Sequence, residues 1–214
     1  MISNARKQAN GKFGIRYTYN GFGTPFFGDD EQVRVEGADL VVQRGDQVTS
    51  ERLTTLARAA EVAGTVANAD QAEPDTIELG DVNRQLDIRD DVGHFLGDWY
   101  GFVTSVLEEL RLDATTADDV GRVQIWPGHF DPAVEVGDTE AGQGANYGGS
   151  PGDGGHDEPY LYVGPWGDVD GDDKYWNAEG YTGASLDYAD LLIAADPRAA
   201  ALSFFRTGYR LTHA

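Results

Sequence analysis

Residues 122–137 read RVQIWPGHFDPAVEVG, and after a Gly-rich turn residues 146–166 read NYGGSPGDGGHDEPYLYVGPW. Apolar residues alternate with polar ones on both sides of the turn. That is the two-residue period of a half-buried strand, and the Gly and Pro clusters mark reversals between strands. This stretch predicts neighbouring antiparallel strands. It also holds two of the four histidines, His129 and His156, with Asp131, Asp153 and Asp157.

The flanks extend the pattern. Phe13, Ile15, Tyr17 and Tyr19 alternate as in a strand, and residues 32–36 and 40–42 predict a hairpin around Gly37-Ala38-Asp39. Between them lies a turn with Phe22, Phe26 and Phe27, which either line a pocket or plug the end of a sheet. A helix is expected from about Ser50 to Ala63, capped by Thr49 or Ser50 and closed by Gly64. A short strand is expected at Thr76-Ile77-Glu78-Leu79. The longest helix is expected over residues 88–112, from Val92, Phe95, Leu96, Trp99 and the apolar residues that follow at three- and four-residue spacing. Gly93, Gly97 and Gly101 recur along it, and three glycines in register imply that a backbone or a ligand comes close. Ser185 is a cap for a short helix. Asp196-Pro197 opens a last helix, expected to end near Gly208. The fold class is therefore α+β, a mainly antiparallel sheet with helices packed on one face, in a single domain over residues 1–214. A β-sandwich with peripheral helices is the alternative.

Composition narrows function. The 37 acidic residues outnumber the 16 basic ones, leaving a formal charge of −21. Nucleic acid and anionic membranes both need a basic face, so neither is an expected partner. An acidic coat keeps a protein soluble and suits a salt-loving source, where salt screens its self-repulsion. There is no cysteine, so disulfides and thiolate chemistry are excluded. No apolar run has the length to span a bilayer, and the first residues lack the apolar core of a secretory signal. A cytoplasmic protein is expected.

Several residues could carry chemistry. Were residues 129–131 extended, His129 and Asp131 would share a face. The carboxylate could then orient the imidazole for acid–base work, or both could hold a divalent metal together with His156. The turn Ser150-Pro151-Gly152-Asp153 presents Asp153 next to His156. Ser150 lacks the strand–Gly-x-Ser-x-Gly–helix context of a hydrolase nucleophile. Trp126, Tyr160, Tyr162 and Trp166 offer aromatic faces to a sugar-like or other small polar ligand, with Tyr160 and Tyr162 on one sheet face. Asp168, Asp170, Asp172 and Glu179 have the spacing of calcium ligands at positions 1, 3, 5 and 12 of a loop. Asp173 stands where such a loop needs Gly, and a strand rather than a helix precedes it.

The blocks WPGHFD, GGSPGD and PYLYV, in this order, resemble a family of uncharacterised prokaryotic proteins catalogued as a domain of unknown function. The likeness covers about residues 120–210. It implies that Trp126, His129, Asp131, Ser150, Asp153, Tyr160 and Tyr162 are signature positions. Related sequences carry a second histidine where this chain has Gly128, which counts against a two-histidine metal reading of that block. The expectation is a small-molecule enzyme, hydrolase-like, with His129, Asp131, Asp153 and His156 as its acid–base or metal groups. The alternatives are a non-catalytic ligand-binding module on the aromatic face, or an assembly protein, as a homo-oligomer, that uses that face as an interface.

Overall fold

The computed structural model describes residues 2, 7, 14–28, 30–67, 79–115, 118–169 and 174–213. The fold is α+β, with two antiparallel sheets of five and six strands and four described helices. The chain divides into two compact units, residues 1–101 with 125–129, and residues 102–124 with 130–214.

In the first unit the strands follow one another as a meander: β1 (Arg16–Thr18), β2 (Gly21–Gly23), β3 (Glu31–Glu36), β4 (Asp39–Arg44) and β5 (Gln47–Arg52). The expected hairpin is present. Val33 pairs with Val42 and Val35 with Leu40 around a turn at Gly37 and Ala38. Gly37 has φ +57, a conformation open to Gly without steric cost. Val33, Leu40 and Val42 bury against Ala59 and Ala63 at helix α1 (Leu56–Val62). This helix starts later than expected. Thr49 and Ser50 are strand residues paired with Val42 and Val41, and the cap is Thr55, whose side chain accepts from Arg58 N. Ser, Thr and Asp can serve either as caps or in turns and strands, so pairing with β4 decided between them. Residues 76–78 of the expected strand lie outside the described residues.

Helix α2 (Asp90–Leu110) runs through the boundary between the units. In the first unit its glycine stripe meets backbone and ring. A Cβ on Gly93 would collide with the Gly37 carbonyl, and one on Gly97 would lie 2.7 Å from the Asn20 carbonyl carbon. One on Gly101 would lie 3.0 Å from the Tyr17 ring. Asp90 fastens the same hairpin turn by accepting from Ala38 N at 3.1 Å. Phe22 packs edge-on against buried Tyr100 at 5.9 Å, the plug reading, while Phe26 is exposed. Val92 and Phe95, expected in the apolar stripe, are also exposed.

The second unit holds β6 (Asp119–Val120), β8 (Asp131–Asp138), β9 (Gln143–Ser150), β10 (Tyr160–Pro165) and β11 (Ala184–Asp187), ordered β11-β10-β9-β8-β6. Strand β7 (Gln124–Trp126) straddles the unit boundary. Strict alternation sorts the residues of this sheet. Val134, Val136, Tyr147, Leu161 and Val163 point to one face and are buried. Against that face lie helix α3 (Tyr188–Ile193), helix α4 (Pro197–Thr212) and the second half of α2. Tyr147 meets Phe205 edge-on at 6.1 Å, and Gly149 makes room for Val103. Arg198 joins α4 to α2 through Glu109 at 2.5 Å. As expected, Asp196 caps α4 and Pro197 follows it. The helix passes Gly208 and ends at Thr212, because Gly208 is an interior contact: a Cβ there would lie 2.5 Å from the Tyr175 hydroxyl and 3.0 Å from Val163. Ser185 is in β11 and does not cap α3; Asp187 holds that position.

Candidate functional site

The opposite face of the second sheet carries Asp131, Glu135, Asn146, Gly148, Ser150, Tyr160 and Tyr162. Strand register brings them together: Tyr160 pairs with Ser150, Tyr162 with Gly148, and Ala133 with the same Gly148. The Tyr160 and Tyr162 rings lie 6.2 Å apart. Gly148 leaves the space that the Tyr162 ring fills, since a Cβ there would strike the ring. The Tyr162 hydroxyl reaches over that gap and donates to Asp131 Oδ2. Burial, and then the Asp131 charge, push the Tyr162 hydroxyl well above the usual phenol range. It is therefore a proton-bearing donor at neutral pH.

The loop after β9 is tied by its own side chains. Ser150 Oγ accepts from Gly152 N at 3.1 Å, and Asp153 Oδ1 accepts from Gly155 N at 2.7 Å and His156 N at 3.0 Å. Gly152, at φ +111, makes the turn that Pro151 begins. Asp153 Oδ2 takes the Tyr160 hydroxyl at 2.6 Å. That hydrogen bond, with the two amides in support, outweighs burial and holds the Asp153 carboxyl below its usual range, so it is ionised. The His156 ring stacks on Tyr160 at 4.2 Å, with Nδ1 3.6 Å from Asp153 Oδ1. Tyr181 completes the group. Burial and the nearby Asp153 charge raise its hydroxyl to about 12, and it donates to the Ala184 carbonyl.

The structure thus gathers five of the expected residues, Asp153, His156, Tyr160, Tyr162 and Asp131, the last joined to the Tyr162 hydroxyl. Residues 127–130 form a turn with Phe130 at φ +57, so 129–131 are not extended and the shared-face premise fails. His129 is exposed while Asp131 is buried, and they belong to different units. Among the described residues no three His, Asp or Glu side chains gather as metal ligands would. Trp126 lies in the first unit, and Trp166 is committed to the sheet, its Nε1 donating to Asn146 Oδ1 at 2.8 Å. Of the calcium-spaced residues, Asp168 and Glu179 are exposed, and Asp170 and Asp172 lie outside the described residues. Tyr181 belongs to the aromatics concentrated in one third of the chain, with no further marking. The Gly148-Gly149 pair was not picked out from sequence, although glycines inside a strand are a sign of close approach.

No family model, no curated protein and no solved structure matches the chain.

Proposed function

We propose that the protein binds a small polar ligand, neutral or cationic, at the rim formed by Asp153, His156, Tyr160 and Tyr181. The observation that carries this is the ionised Asp153 held by the Tyr160 hydroxyl with the His156 ring stacked on Tyr160. Three of the four are reachable by a ligand: side-chain exposure is 46% at Asp153 and 30% at His156, and Tyr181 is 39% exposed, while Tyr160 is buried beneath them. Aromatic faces supply apolar area and attract cations, while a fixed carboxylate orients donors. The charge of −21 disfavours anionic ligands.

Calorimetric titration with sugars, polyols and small amines tests the reading on the wild type and on Tyr160→Phe and His156→Ala. A ligand should emerge whose affinity falls about tenfold in each variant, the loss of roughly one hydrogen bond or ring contact. Equal affinity in all three proteins would place binding elsewhere, and no binding from these classes would sink the proposal. A hydrolytic reading is favoured by one feature, the His156 imidazole beside the Asp153 carboxylate, which suits proton transfer to a bound substrate. Turnover of small esters or glycosides that His156→Ala abolishes without loss of ligand affinity would establish it.

A further inference from the structure

Away from that rim, the last turn of α4 is fastened to the segment before β6 by one imidazole. His213 Nδ1 lies 2.7 Å from the Tyr209 carbonyl oxygen and 3.1 Å from Thr212 Oγ1. Its Nε2 lies 2.9 Å from Asp118 Oδ1. The Thr212 hydroxyl is able to donate to Nδ1, but a bare Nδ1 would then set its lone pair against the Tyr209 carbonyl oxygen at the shorter distance of 2.7 Å. A carbonyl oxygen and a carboxylate oxygen only accept, so the geometry favours donation from both ring nitrogens, and a neutral imidazole has one N–H. Protonation of the carboxylate would remove the conflict, but Asp118 is held ionised. Burial pushes its carboxyl up, and the hydrogen bonds from Tyr209, Thr115 and His213 outweigh it and leave it below the usual range. Those bonds are 2.6 Å from the Tyr209 hydroxyl, 2.7 Å from Thr115 N and 3.1 Å from Thr115 Oγ1. The Asp118 side chain is 3% exposed, which makes an unneutralised charge there costly.

We propose that His213 is an imidazolium clasp, doubly protonated in the folded protein, whose loss of one proton frees the last turn of α4. The titratable groups around the ring are Asp118, Tyr209 of α4, whose ring lies tilted against it at 4.0 Å, and Tyr147 of β9, reached through Thr212 at 3.3 Å. Both tyrosine hydroxyls are pushed above the ordinary phenol range, chiefly by burial, so neither changes charge near neutral pH. A neutral ring keeps its bond to the Tyr209 carbonyl or to Asp118, and turns a lone pair toward the other. The clasp therefore makes the end of the helix that covers the sheet's apolar face responsive to a single proton.

Long-range proton–nitrogen correlation spectra of the full chain read the ring directly. At about pH 6.5, where a neutral ring would be well populated for an ordinary histidine, both His213 nitrogens should carry protons. Amide exchange over residues 208–212, corrected for intrinsic rate, should become about tenfold faster as the ring loses its second proton. His213→Phe should show the fast exchange at every pH. Asp118→Asn, which keeps the side-chain shape, should be neutral at His213 where the wild type is charged. A neutral wild-type ring at pH ~6.5 would overturn the proposal, as would exchange over 208–212 that ignores the ring's charge.

Discussion

Tyr160 and Asp153 show how much one hydrogen bond decides. The phenol holds the carboxylate ionised, and the carboxylate in turn pushes the phenol up after burial has done so. Because the folded Asp153 value lies below its unfolded one, the interaction contributes stability above the unfolded carboxylate range. That contribution is lost as pH falls through the folded value. Urea midpoints of the wild type and Asp153→Asn should therefore differ at neutral pH and converge as the solution is acidified below about pH 4; a gap that persists in acid would contradict the assignment. His129 teaches the converse. It looked like the natural partner of Asp131 because the two are two residues apart, yet one positive φ at Phe130 removes the alternation on which that inference stood. Left-handed conformations are uncommon for bulky residues, so nothing local announces one at a phenylalanine.

At the level of elements, the glycine stripe of α2 was legible because glycine lowers helix stability by about 1 kcal/mol and three in register imply a compensation. What lay against them, a hairpin turn and the Asn20–Gly21 backbone, depends on strands distant in sequence. Gly97→Ala tests the balance. Helix propensity favours alanine, but its Cβ would sit 2.7–2.8 Å from rigid backbone atoms of Asn20 and Gly21. Overpacking of this kind costs ~1–3 kcal/mol, so the variant should be less stable than the wild type in urea; a stabilised variant would mean that the helix and the Asn20–Gly21 backbone separate easily. Gly208 follows the same logic, read from sequence as a helix end and found in an interior crossing. Gly near a predicted terminus signals either a left-handed cap or a close approach, and only the partner, here Tyr175 and Val163, distinguishes them.

For the whole molecule, charge is the dominant feature. Arginines such as Arg52, Arg58 and Arg206 already pair with acids at 2.9, 2.5 and 2.7 Å. Exposed pairs like these contribute little each, and the excess of 21 negative charges remains. Screening extends only about 10 Å at 0.1 M salt and shortens as salt rises. Thermal midpoints should therefore climb between low salt and ~1 M sodium chloride. A flat or falling midpoint would show that the acidic coat is not a source of strain. No helix of the described residues is long and apolar enough to cross a membrane.

Sequence by itself determined the α+β class, the hairpin of residues 32–36 and 40–42, the cap at Asp196 and the shared face of Tyr160 and Tyr162, because each follows from local periodicity or local hydrogen bonding. Tertiary structure decided the rest. It put Thr49 and Ser50 into a strand instead of a helix, set Gly148 beneath Tyr162, and brought Asp118 to His213 across 95 residues. Pairing register and close approach between distant segments are set by the free energy of the whole packed sheet, and no window of neighbouring residues contains that information.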